Sequence, residues 1–161
     1  MGSGKTTVGK KLAKKLNKEF IDMDQWIEKD EEMPVEEIFE KKGENLFREL
    51  ETKYIRKLSN KKKAVISTGG GAPCHSDNME FMNDEGLTIY LEMKSEVLLF
   101  RLQNSKKERP LLKNKTSEEM LNFIQNKLAE RESYYNKANI IINGFNVNIN
   151  DLAEKIKNIK Q

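Results

Sequence analysis

Gly2-Ser3-Gly4-Lys5-Thr6-Thr7 decides how the rest of this chain is read. It matches the closing half of the phosphate-loop pattern G-x-x-x-x-G-K-[ST]. Small residues there let backbone N–H groups converge on phosphate oxygens without obstruction by a Cβ. A helix is expected directly behind it, from Lys5 to Leu16, because Val8, Leu12 and Leu16 recur every four residues with Ala13 beside them. The positive end of that helix would face the same anion. In such a loop Lys5 reaches β- and γ-phosphates, and the Thr6 hydroxyl ligates a Mg²⁺ ion that bridges them. A flexible Gly-Ser end with a chance Gly-Lys-Thr is the bland alternative, and the amphipathic run behind it argues against that. The first glycine of the pattern would lie upstream of Met1, as would the apolar strand that feeds such a loop. A chain that continues upstream is therefore expected.

Working outward, the 161 residues fit one domain with a core of its own. Lys and Arg number 29 against 26 Asp and Glu, a net charge of +3. This balance is too mild for a nucleic-acid binder. The basic stretch from Lys10 to Lys18 is answered by acids at Asp30-Glu31-Glu32 and Glu36-Glu37, the mixture of a solvated surface. Cys74 is the single cysteine, which excludes an intrachain disulfide and a cysteine framework for zinc. No apolar run approaches the roughly 18 residues of a membrane helix, and the amino-terminal residues have no apolar core of a signal peptide. A cytoplasmic protein is expected.

Four strands are expected, around Phe20–Met23, Ala64–Thr68, Leu87–Leu91 and Ile140–Ile142. Between them the periodicity predicts helices at Gln25–Lys29, Val35–Lys41, Glu44–Leu58, Ser95–Gln103, Ser117–Tyr135 and Asp151–Ile159. Strands separated by helices imply a parallel sheet covered on both faces.

Three further motifs follow the loop in order: Asp22-Met23-Asp24 at a strand end, Gly69-Gly70-Gly71 after a second strand, and Arg109-Pro110-Leu111-Leu112 in a polar stretch. With Arg131 behind them, the whole chain resembles the shikimate kinases. The resemblance implies an α/β, P-loop NTPase-like three-layer sandwich with a parallel sheet. The family has five strands, and the first, central one would lie upstream of Met1. It also implies a single kinase domain over 1–161, with a substrate-binding region at about 24–59 and a lid at about 104–116. The implied partners are ATP and shikimate, with Mg²⁺, in a monomer that meets neither nucleic acid nor membrane.

Alternate residues of a strand point the same way, so Asp22 and Asp24 are expected to face the phosphate site together. By the resemblance Asp22 helps Thr6 hold Mg²⁺, and Asp24 binds shikimate hydroxyls and accepts the proton of the attacking 3-hydroxyl. A substrate carboxylate calls for planar cations, because paired N–H groups match its two oxygens. Arg48 and Arg131 match the two carboxylate-binding arginines of the family. Glu51, three residues from Arg48 on the same helical face, would orient it or stand at the substrate rim. Gly69, Gly70 and Gly71 bring backbone close to a ligand, and the resemblance makes them N–H donors to shikimate. Phe39 and Phe47 would wall the ring or serve the core. Catalysis is assigned to Lys5, Asp24 and Arg109, the last bringing charge to the γ-phosphoryl. ATP falls to Gly2, Ser3, Gly4, Lys5, Thr6, Thr7, Arg101 and Arg109, with Arg101 stacking on adenine opposite the loop Asn143–Asn148, which lacks a proline found there in some family members. Cys74, His75 and Trp26 have no assigned role. Two rivals stand beside this reading: a gluconate or nucleoside monophosphate kinase of the same fold, and a chain that is not an enzyme, either a nucleotide-binding remnant or an interaction module.

Overall fold

The computed structural model describes residues 2–105 and 115–159. Within them the chain runs α1 (Lys5–Leu16), β1 (Glu19–Asp22), α2 (Met23–Asp30), α3 (Val35–Leu58), β2 (Ala64–Ser67), a 3-10 turn (Ala72–Cys74), α4 (Asn78–Glu85), β3 (Ile89–Glu92), α5 (Ser95–Gln103), α6 (Ser117–Tyr135), β4 (Ile140–Asn143) and α7 (Ile149–Ile159). Strand β1 pairs parallel with β2, placing Ile21 beside Ile66, and β3 pairs parallel with β4, placing Leu91 beside Ile142. Each pair is joined by helices, as parallel strands require.

The layers follow from the alternation of side chains along a strand. On β2, Ala64 and Ile66 pack into a core of Ile21, Met23, Ile27, Phe47, Tyr54 and Leu58, while Val65 packs into a second core built on Leu12, Ile140, Leu152 and Ile156. Helices therefore cover both faces of this strand, which gives the three layers expected of the α/β sandwich. A third cluster, Met93, Leu98 and Ile124, joins α5 to α6. Among the described residues, β2 and β3 do not pair with each other. A cleft of about 490 Å³ runs between them, lined by Ala64–Ser67 on one side and Ile89–Leu91 on the other. The inner edges of both strands open onto it.

Several elements differ from the sequence reading. The helices expected at Val35–Lys41 and Glu44–Leu58 form one element, broken at Gly43, whose φ of 83° and ψ of 166° leave the helical region. Helix α4 was not expected, since Asn78–Glu85 carries few apolar residues at helical spacing. Helix α2 starts at Met23, so Asp24 stands in its first turn rather than on the strand. The acid gains there from the positive end of the helix.

Asn78 ties α4 to the elements below it. Its side chain is fully buried, and Nδ2 donates to Thr52 Oγ1 at 3.0 Å and to the Ala72 carbonyl at 2.9 Å. Asn78→Ala removes both bonds from a buried site. A loss of about 2–3 kcal/mol is expected from the two bonds together, measured by urea denaturation.

Candidate active site

The phosphate loop owes its shape to glycine. Gly2 and Gly4 have φ values of 70° and 88°, in the left-handed region. Gly4 caps α1 without a side-chain hydrogen bond, so the first N–H groups of the helix are not satisfied by a capping side chain. Arg101 braces the loop from behind. Its Nη1 donates to the Ser3 carbonyl at 3.1 Å, and its Nη2 donates to the Phe145 carbonyl at 3.3 Å. The guanidinium lies 6.0 Å from the Phe145 ring centre. The arginine expected to contact adenine thus also joins the phosphate loop to the 143–148 loop. Phe145, an exposed aromatic at that junction, was not singled out in the sequence. No periodic pattern surrounds it, and only the fold puts it beside Arg101.

Beyond the loop, the Thr6 hydroxyl donates to Asp22 Oδ2 at 3.0 Å. Two hard oxygen groups side by side at a phosphate loop suit Mg²⁺, which takes one or two protein oxygens and fills its shell with water and phosphate. Among the described residues no group of three or more His, Cys, Asp or Glu side chains forms a metal cluster, which a Mg²⁺ of this kind does not need. Thr7 follows on the first turn of α1 and is exposed.

The second half of the site gathers on the turn Gly69-Gly70-Gly71 at the end of β2. A Cβ on Gly69 would fall on Glu51 Oε1 and stand 3.4 Å from Asp24 Oδ1; a Cβ on Gly71 would fall on the Arg48 guanidinium. The turn therefore brings Asp24, Arg48 and Glu51 together, as the sequence reading expected. Asp22 and Asp24 diverge, one toward Thr6 and the other toward this turn, because the chain passes from strand to helix between them.

Arg48 is held by carboxylates. Its Nη1 donates to Glu51 Oε2 at 2.6 Å and its Nη2 to Glu44 Oε1 at 2.7 Å. The rings of Phe39 and Phe47 flank it, each centre 5.7 Å away. Phe47 belongs to the core and Phe39 packs against that core, so both rings serve the hydrophobic interior as well as the site. Burial works against the charge of Arg48, and the Glu51 and Glu44 carboxylates outweigh it, leaving its pKa raised. Glu51 is fully buried, and its Oε1 has no hydrogen-bond partner among the described residues. Burial pushes its carboxyl above the usual range, the Arg48 charge opposes that, and the Asp24 charge adds to it. Glu44, more open, is lowered by its hydrogen bond to Arg48.

Arg131 reaches the same neighbourhood from α6. Its charge acts on Glu44, Glu51 and Cys74. Cys74 is half-buried just beyond the glycine turn, and burial raises its thiol pKa. Tyr135, one turn after Arg131, donates its hydroxyl hydrogen to the Gly70 carbonyl at 2.6 Å. The sequence alone did not mark it, because a tyrosine at a helix end has no signature of its own. Lys5, Ser3, Gly69 and Gly70 border one end of the cleft between β2 and β3. Arg109 lies outside the described residues.

A family model described as "Shikimate kinase" matches residues 1–160. The chain belongs to the shikimate kinase family. It is 46% identical to the shikimate kinase of Bacteroides thetaiotaomicron over 143 residues, covering 89% of this chain and 82% of that one. It is 45% identical to the shikimate kinase of Azobacteroides pseudotrichonymphae over 157 residues, covering 97% and 92%. The crystal structure of a shikimate kinase from Bacteroides thetaiotaomicron superposes with a TM-score of 0.91 at 41% identity, covering 99% of this chain and 93% of that one. A shikimate kinase from Acinetobacter baumannii in complex with shikimate superposes with a TM-score of 0.84 at 38% identity, covering 99% and 88%. The parallel strands and helix layers of this chain are those of the shikimate kinases, a P-loop NTPase-like fold.

The contact between Gly71 and Arg48 has a measurable consequence. Gly71→Ala is expected to destabilise the protein by about 1–3 kcal/mol through overpacking. In an Arg48→Ala background the obstructing guanidinium is gone. A double-mutant cycle in urea should therefore return a coupling of at least about 1 kcal/mol.

Proposed function

We propose that this protein transfers the γ-phosphoryl group of ATP to the 3-hydroxyl of shikimate, giving ADP and shikimate 3-phosphate for aromatic amino-acid biosynthesis. The observation that carries the reading is the meeting of Asp24 and Arg48 at the glycine turn, with Asp22, two residues before Asp24, bonded to Thr6 of the phosphate loop. The Acinetobacter relative solved with shikimate supports the acceptor.

Gly2, Ser3, Gly4 and Thr7 wrap the phosphates, with the α1 end contributing its dipole. Lys5 carries positive charge to the β- and γ-phosphates, and Arg109 supplies a second charge from the proposed lid at 104–116. Arg101 and the loop beside it receive adenine. Thr6 and Asp22 would hold Mg²⁺. When bound, that ion would offset the negative charge of the phosphates.

On the acceptor side, Arg48 and Arg131 clasp the shikimate carboxylate and fix the ring. The N–H groups of the glycine turn hold its oxygens. Asp24 hydrogen-bonds the 3-hydroxyl and takes its proton as the new P–O bond forms and the bond to the β,γ-bridging oxygen breaks, so that oxygen leaves on ADP. Most of the acceleration comes from aligning the acceptor oxygen with phosphorus and from stabilising charge, since phosphoryl transfer asks for little covalent chemistry from the protein. The reading carries a single kinase domain, a monomer working in the cytoplasm where MgATP is supplied. No helix among the described residues is long and apolar enough to cross a membrane.

An ADP-release assay with MgATP tests this against its rivals. Shikimate should drive turnover, while gluconate and AMP stay at background. Release that is equal with gluconate, or absent with shikimate, would sink the assignment. Lys5→Ala and Arg109→Ala are expected to lower kcat by about 100-fold or more, the scale of a lost transition-state charge contact. Arg48→Ala is expected to act chiefly on the shikimate KM, raising it by about 10–100-fold. An unchanged KM in that variant would remove Arg48 from the site.

A further inference from the structure

We infer that Tyr135 is a positioning residue of the acceptor site: its hydroxyl holds the Gly70 carbonyl and so aims the Gly70–Gly71 peptide. This rests on the reading of the glycine turn and Arg131 as the acceptor site.

Three glycines in succession make the freest backbone a chain can have, so their orientation must be imposed from outside. Two of the three carbonyls are held locally. The Gly69 carbonyl accepts from the Ala72 N–H at 3.3 Å, and the Gly71 carbonyl accepts from the Cys74 N–H at 2.9 Å. The middle carbonyl is held from a distance of 65 residues in sequence by the Tyr135 hydroxyl at 2.6 Å.

A trans peptide is planar, with its C=O and N–H pointing opposite ways. Fixing the Gly70 carbonyl therefore fixes the direction of the Gly71 N–H, a donor assigned to the acceptor. The tyrosine is itself well placed to act as a rigid strut. It closes α6, its ring is partly buried, and it packs on Tyr90 of β3 with ring centres 4.8 Å apart.

Arg131 lies four residues earlier, on the same face of α6. Its guanidinium is close enough to the Tyr135 hydroxyl to favour the ionised form by charge and hydrogen bonding, and burial outweighs this to keep the phenol pKa raised. The hydroxyl thus retains its proton and remains a donor through the neutral range.

Tyr135→Phe tests this, since it keeps the ring against Tyr90 and deletes only the hydroxyl. The expected result is a rise of about 10-fold in shikimate KM, the scale of one buried hydrogen bond left unmade. The ATP KM and the kcat at saturating shikimate should stay within about 2-fold, and the melting temperature should fall by only a few degrees. A wild-type shikimate KM in Tyr135→Phe would overturn the inference. So would a variant whose ATP KM, shikimate KM and kcat worsen together with a large fall in melting temperature, the sign of a purely structural role. Arg131→Ala, assayed alongside, separates the two levels of the argument. An unchanged shikimate KM in Arg131→Ala would overturn the acceptor-site reading and the inference with it. A raised KM there with a wild-type KM in Tyr135→Phe would overturn the inference alone.

Discussion

The absence of a side chain at Gly69 and Gly71 is the constraint on which the rest of this site depends. The space that two Cβ atoms would fill is taken by the Glu51 carboxylate and the Arg48 guanidinium, with Asp24 at its edge. Charged groups can stand this close to a strand end only where the backbone itself is the wall. The same bareness leaves the turn without internal direction, and its direction comes from neighbours: the 3-10 turn on one side and the Tyr135 hydroxyl on the other. Helix α3 presents Arg48 and Glu51, helix α6 presents Arg131 and Tyr135, and the glycine turn is the place where the two meet.

Much of this was legible in the sequence, and particular residues show why. The helix at Lys5–Leu16 was found within a residue, because a four-residue apolar spacing behind a Gly-Lys-Thr has little other physical meaning. Strand β2 was legible from a short β-branched run stopped by three glycines, and Arg48 and Glu51 were placed together by their three-residue separation. Strand β3 begins two residues later than expected, since Leu87 and Thr88 share its composition while Thr88 is engaged with the Asn83 and Asn139 side chains.

Other features were invisible for equally physical reasons. Asp22 and Asp24 read as alternate strand residues, yet the strand ends between them, and a boundary of one residue turns their side chains toward different partners. Helix α4 is eight residues long, too short to show a repeating pattern, although Met79 is buried, Phe81 and Met82 pack on the core, and the buried Asn78 amide holds its amino end. Tyr135 and Phe145 gain meaning only from residues distant along the chain that folding brings beside them, Gly70 and Arg101. Local pattern carries no information about such partners.

Glu44 stands apart from these as a surface residue, and its pairing with Arg48 bears on how an anion would enter. Arg48 is already shared between two carboxylates, one sealed beneath it and one near solvent. A carboxylate approaching Arg48 from the solvent side would meet Glu44 first and would have to displace it, exchanging one ion pair for another rather than adding a new one. Attraction at this arginine is thus partly spent before any ligand arrives, and affinity there would have to come from contacts beyond charge.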